Sequence, residues 1–138
     1  MQAPPLVEGN QHLIEGYVIR LPFPMARRAE EGSLVFWHSP KGLTLWISAV
    51  QREKDAGDPL PEWREQASKA AYDEIVEHDS EALRFGYRLA EEDTGAKQPA
   101  FYGYFAEGRV EFLVTAYFDS AERVEDAQAA WRSIRLAA

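Results

Sequence analysis

The chain contains no cysteine, which excludes disulfides and thiolate metal sites and leaves the redox compartment open. No apolar run approaches the roughly 18 residues that a membrane-spanning helix requires. Cations are scarce. Fifteen Lys and Arg stand against 23 Asp and Glu, a formal net charge of −8. Phosphate recognition depends on clustered Lys and Arg, so this balance argues against a nucleic-acid partner or an anionic membrane surface. The opening residues Met1-Gln-Ala-Pro-Pro5 carry neither a basic stretch nor an apolar one, so no secretory leader is read there. Cytoplasm is the expectation, and an exported mature form whose leader was removed before Gln2 is the alternative.

Chemistry-bearing clusters are missing as well. His12, His38 and His78 lack the spacing and the cysteine partners that zinc prefers, and no metal or cofactor is expected. His38-Ser39 does not make a hydrolase pair, because neighbouring strand residues point to opposite faces, and no nucleophile elbow is present. Glycines such as Gly42 and Gly108 are isolated and form no phosphate cradle. The carboxylates fall in loops and at helix ends, where they read as solvated charge and caps. No catalytic residue is expected.

What the chain does have is a rhythm that appears twice: three short strand-like segments and then an amphipathic helix, over residues 12–79 and 83–135. Its 138 residues, 46 % of them apolar, suit one domain over residues 12–138 behind an N-terminal arm at 1–11. A strand is read over 12–20, ending at Leu21-Pro22, and a charged turn over 27–32. A hairpin follows, 34–38 with 43–50, whose pairing sets Leu34 opposite Ile47, Val35 opposite Trp46, Phe36 opposite Leu45 and Trp37 opposite Thr44. Leu34, Phe36, Leu43, Leu45 and Ile47 then share a core face, and Val35, Trp37, Thr44 and Trp46 share the other.

Asp58-Pro59 opens a helix expected to run to about His78, burying Leu60, Trp63, Ala67, Ala70, Ala71 and Ile75. Residues 83–90 alternate strictly, with Leu83, Phe85, Tyr87 and Leu89 on one side and Arg84, Gly86 and Arg88 on the other. An acidic loop is read over 91–98. A second hairpin, 101–106 with 109–118 and turning at Glu107-Gly108, sets Phe101, Phe105, Val110, Phe112, Val114 and Phe118 inside. Tyr102, Tyr104, Arg109, Glu111, Leu113, Thr115 and Tyr117 fall opposite. A capping box from Asp119 to Glu122 opens the last helix, which buries Val124, Ala127, Trp131 and Ile134.

The expected architecture is α+β: a six-stranded antiparallel sheet flanked by two helices in the order βββα-βββα. One greasy face takes both helices. The other face carries Trp37, Trp46, Tyr102, Tyr104 and Tyr117 beside Arg84, Arg88 and Arg109. Tyr, Trp and Arg supply most of the energy at protein interfaces, so this face is the candidate partner-binding surface. The acidic residues Glu91, Glu92 and Asp93 are added as rim contacts for a basic partner.

This order of elements resembles the PsbP-like/DcrB-like superfold. The stretches that carry the resemblance are Gly16-Tyr-Val-Ile-Arg-Leu-Pro22, Gly42-Leu-Thr-Leu-Trp-Ile-Ser48 and Ala130-Trp-Arg-Ser-Ile-Arg135. They are patterns of apolar spacing over nearly the whole chain and include no functional motif. The lipobox cysteine of many DcrB-like proteins is absent, and Phe23-Pro-Met25 stands where a tryptophan would follow the opening Leu-Pro. The resemblance implies a non-enzymatic protein that binds another protein, of the kind represented by secretion-effector chaperones. An immunity protein fits the same size and acidity, and a homodimer is a further possibility. The competing expectation is a small-molecule binder or cryptic enzyme with a pocket under Trp37 and Trp46. A structural exported domain is the third.

Overall fold

The computed structural model describes residues 5–53, 57–67, 69–79, 82–93 and 96–137, with backbone only at 91–93 and 96–98. Two sheets form. The larger has eight antiparallel strands in the order β1-β4-β5-β6-β10-β9-β8-β7. These are β1 (Leu6–Val7), β4 (Met25–Glu30), β5 (Ser33–His38), β6 (Leu43–Gln51), β7 (Tyr72–Asp79), β8 (Ala82–Asp93), β9 (Ala96–Glu107) and β10 (Val110–Phe118). The smaller joins β11 (Arg135–Leu136), β3 (Tyr17–Arg20) and β2 (Asn10–His12). Two helices complete the fold, α1 (Leu60–Gln66) and α2 (Arg123–Arg132). The molecule is therefore mostly β, and the expected six-stranded sheet in βββα-βββα order is overturned.

Five local readings account for the difference. The charged residues 27–30 belong to strand β4 and pair with β5; the turn is confined to Glu31-Gly32, where Gly32 takes φ +77°. The single strand read over 12–20 breaks at Glu15 and Gly16, both at positive φ, and becomes the β2–β3 hairpin of the small sheet. The long helix stops at Gln66, with Ala67 already extended at ψ 143°. The β-branched pair Ile75-Val76 then sits in strand β7, against Gly86 and Phe85. The acidic segment read as a loop is mostly strand, since Glu91, Glu92 and Asp93 pair with Gln98, Lys97 and Ala96. Within the segment read as an arm, Leu6 and Val7 pair with Ala26 and Met25.

The first hairpin has the expected partners at all four pairs named above. The second turns one residue later than expected, at Gly108-Arg109, with Glu107 opposite Val110. Its register is thus shifted by two residues, and a shift of two leaves every side chain on its expected face. The expected box from Asp119 to Glu122 does not form; Ser120 Oγ accepts the Glu122 N–H instead.

The helices pack on opposite faces of the large sheet. On one face lie Phe36, Leu45, Ile47, Phe101, Phe105, Phe112 and Val114, under α2 and the small sheet. The α2 contact is fitted into the backbone. Gly86 and Gly103 face each other across β8 and β9, and the Trp131 indole occupies the space between them. A Cβ at Gly103 would stand 2.6 Å from that ring, and one at Gly86 would stand 2.6 Å from Phe101. Trp131 Nε1 donates to the Tyr104 carbonyl at 3.0 Å, so the buried indole leaves no unmet donor.

On the other face, α1 lays Trp63 over Tyr104 at a centroid distance of 5.0 Å and beside Phe85 at 6.5 Å. Asp58 Oδ1 accepts the Leu60 N–H to start the helix. The Trp63 indole donates to Glu111. With only seven residues, α1 covers only part of this face.

Both edges of the large sheet are charged. Beyond the short β1, residues 27–30 of β4 present Arg27, Arg28 and Glu30, and β7 is interrupted by a bulge between Tyr72 and Ile75, with Asp73 at φ +53°. Charge and bulges are the usual means of discouraging strand addition at an edge.

Candidate functional site

Cross-strand register organises the face that α1 leaves partly open. One row runs Val35, Trp46, Thr115, Tyr102 and Tyr87 across five strands. The next runs Trp37, Thr44, Tyr117, Ala100 and Leu89. Adjacent strands lie about 4.8 Å apart, which separates Trp46 from Tyr102 by roughly 10 Å with the small Thr115 between them. Trp37, Trp46, Tyr102 and Tyr117 are all half-buried. Tyr102 stacks on Tyr87 at 5.4 Å, and the Arg28 guanidinium lies 5.5 Å over Trp37 while pairing with Glu30 at 2.6 Å. Trp37 and Trp46 belong to neither of the two apolar cores.

These four aromatics are brought onto one face as expected, but their expected neighbours are not all with them. Tyr104 shares the face and is buried beneath Trp63, so it is core. Burial, and secondarily the negative charge of Glu111, holds its phenol above the usual tyrosine range. Arg84 and Arg88 lie on the opposite face, because β8 pairs Arg84 with Phe105 and Arg88 with Phe101. Arg84 is only 6 % exposed. It donates to the Ile134 carbonyl at 3.0 Å just beyond α2, and its guanidinium lies 5.2 Å from the Phe105 ring. Arg88 pairs with Asp73 at 3.5 Å and lies over Tyr72. Arg84 ties β8 to the segment that follows α2, and Arg88 ties β8 to β7. Arg109 sits in the exposed hairpin turn.

The backbone places Glu91, Glu92 and Asp93 on a two-stranded overhang. Tyr117 pairs with Ala100 at the last β9–β10 position, so β8 and β9 continue past the end of β10. The overhang leaves the sheet at the end where the Trp37–Tyr117 row lies. At that same end a polar notch of about 180 Å³ is bordered by His38, Thr44, Tyr117 and Asp119. His38 Nδ1 accepts the Lys41 N–H, which fixes that ring in a capping role. Gly42 turns there at φ +63° with Asp119 so close that a Cβ would stand 2.6 Å from its carboxylate.

Two further clefts were not foreseen. One of about 270 Å³ runs beside α1, between Trp63, Gln66, Ser48 and Leu113. The other, about 430 Å³, opens on the α2 face of the sheet beneath the β2–β3 turn. Neither Trp37 nor Trp46 borders these clefts. The second is not legible in the sequence because its roof, Leu13-Ile14, reads as the start of a continuous strand over 12–20. Among the described residues no group of three His, Asp or Glu side chains converges on a metal-sized site, and no helix is long and apolar enough to cross a membrane.

No protein-family model matches the chain, and no curated protein matches its sequence. Eleven chains of known structure share its fold. One, a protein from Bacteroides thetaiotaomicron VPI-5482, superposes with a TM-score of 0.71 over 96 % of this chain at 14 % identity. The chain spans about half the length of that protein, 50 %. At that identity the likeness is one of fold.

Proposed function

We propose that the chain is a non-enzymatic accessory protein that binds another protein through the open part of its α1-side sheet face. The observation that carries this reading is the set Trp37, Trp46, Tyr102 and Tyr117, half-buried in two adjacent rows. Rigid aromatic rings held on a sheet lose little conformational entropy when a partner covers them, which is why such side chains dominate interface energetics. Arg28 over Trp37 adds a cation at one border, and Asp119 with the acidic overhang adds anions at the other.

The partner that suits this layout is a protein segment with apolar or aromatic side chains followed by basic ones. A secretion-effector chaperone would use the aromatic rows chiefly, and an immunity protein would use Glu91, Glu92 and Asp93 against a basic toxin surface. The face favours the chaperone-like mode. The reading rests on this surface and not on kinship with PsbP-like or DcrB-like proteins.

The test is affinity capture from the source cells with the wild type and the Trp37→Ala/Trp46→Ala double variant. Loss of a hot-spot tryptophan costs about 2 kcal/mol or more, roughly a thirtyfold drop in affinity. A partner recovered by wild type and lost by the variant supports the reading if both melt within a few degrees of each other. Equal recovery by an intact variant overturns it. A charge-reversal variant at Glu91, Glu92 and Asp93 separates the two modes, since the immunity-like mode loses most of its binding there and the chaperone-like mode keeps most of it.

A further inference from the structure

The 430 Å³ cleft on the α2 side lies on the opposite face of the sheet from the aromatic rows. Its floor is sheet: Leu34 from β5, Ile47 and Ala49 from β6, and Phe112 from β10. Its roof is the tight turn between β2 and β3, where Leu13 is half-buried and Ile14 is 42 % exposed. That turn is held by Leu13 N–H to the Tyr17 carbonyl at 2.8 Å and by the positive φ of Glu15 and Gly16. The volume falls within the range of small-molecule sites, and apolar walls with few polar groups are their usual composition.

The charge at the mouth is specific. Arg27 and His12, two basic side chains in an acidic chain, border the cleft. Among the described residues Arg27 forms no ion pair. Among the described residues its guanidinium makes one hydrogen bond, to the Gln11 side-chain oxygen at 3.4 Å, and rests 6.0 Å from the Phe36 ring. A guanidinium has five donors in a fork that matches a carboxylate. Neighbouring Glu30 is engaged by Arg28. Arg27 therefore stands at the entrance of an apolar cleft with most of its donors unspent.

We propose that this cleft binds a single-chain apolar molecule bearing one carboxylate, such as a fatty acid. The tail would lie against Leu34, Ile47, Ala49 and Phe112, and the head group would meet Arg27 beside His12. An apolar tail gains free energy by leaving water, and the charge-assisted bond to Arg27 selects the anion over an uncharged or cationic amphiphile.

Titration calorimetry of the whole chain with dodecanoate and dodecyltrimethylammonium below their micelle concentrations, and with dodecanol below its solubility limit, tests this. Dodecanoate is expected to bind saturably, one molecule per chain, about tenfold more tightly than dodecanol, with the cation weakest. Arg27→Gln should lower dodecanoate affinity about tenfold, in line with a charged hydrogen bond, and leave dodecanol unchanged. Ala49→Phe should block both. Because that variant could misfold, amide chemical shifts of the wild type supply a second reading. Dodecanoate should move Leu13, Ile14, Gly32, Leu34 and Ala49. Absence of saturable binding, equal binding of the cationic amphiphile, or shifts centred on Trp37 and Trp46 would each overturn the proposal.

Discussion

The two faces of the large sheet are covered by different kinds of contact. On the α2 side the backbone itself is shaped for the helix, with Gly86 and Gly103 opposed so that Trp131 can sink between them. On the α1 side Trp63 is stacked on the rings of Tyr104 and Phe85. A side chain set into a recess has no alternative arrangement, whereas a stacked ring can lift and admit water. Beneath α2 the first face is a closed core, and its cleft lies away from the helix, under the β2–β3 turn. The second is a surface partly closed by a seven-residue helix.

Replacing each tryptophan breaks that contrast most directly. Trp131→Ala is expected to cost about 3–5 kcal/mol, since the void is walled by backbone and cannot collapse. Trp63→Ala should cost less, about 2–3 kcal/mol, because α1 can undock while the sheet persists. Urea unfolding measures both, and hydrogen exchange should show α1 alone exposed in the second variant. Equal costs with global loss of protection in both would erase the distinction. Gly103→Ala comes next, at about 1–3 kcal/mol, because its methyl would meet the Trp131 ring and the helix would have to shift. A cost below 0.5 kcal/mol, again by urea unfolding, would show that the recess is not tight.

The smallest effect compares one tyrosine on each side. Tyr17 is raised above the usual tyrosine range chiefly by burial and then by its hydrogen bond to Glu107 at 2.8 Å, and Tyr104 is raised by burial and then by Glu111. A raised folded value means that the native state holds its phenolic proton more tightly than the unfolded chain does. The associated stability is therefore complete below the unfolded value near 10 and is lost as pH rises above it. Stability should be level up to about pH 10 and then decline. Tyr17→Phe should flatten that decline more than Tyr104→Phe, and at neutral pH it should cost about 1 kcal/mol for the lost hydrogen bond. Thermal melts from pH 7 to 11 make the comparison, and an unchanged alkaline slope in Tyr17→Phe would refute it.

The contrast also explains what could be read in the sequence. The hairpins were legible because pairing parity is local: once Phe36 faces Leu45, every neighbour in both strands is sorted. The second hairpin kept its faces although its register moved by two residues, for the same reason. Strand β8 was misread because it is buried on both sides. Leu83, Phe85 and Tyr87 alternate with Arg84, Gly86 and Arg88, and the apolar set was matched to the greasier face. It lies instead under α1, while Gly86 clears space for Trp131 and Arg84 reaches the Ile134 carbonyl. Alternation reports two faces without saying which neighbour each will meet. Strand β4 reads as a turn because an edge strand can be as polar as one, and β7 reads as the end of a helix because Ile75 stands at helical spacing from Ala71. Of the expected binding surface, Trp37, Trp46, Tyr102 and Tyr117 stand together, and the arginines that were to join them do not.

The charged edges of the sheet have a consequence for self-association. Arg27, Arg28 and Glu30 on one side, and the bulge at Asp73 on the other, discourage a second copy from extending the sheet sideways. A dimer that stacked aromatic row upon aromatic row would bury Trp37 and Trp46. Self-pairing and partner capture would then exclude each other, so that dilution alone would act as the switch that frees the surface.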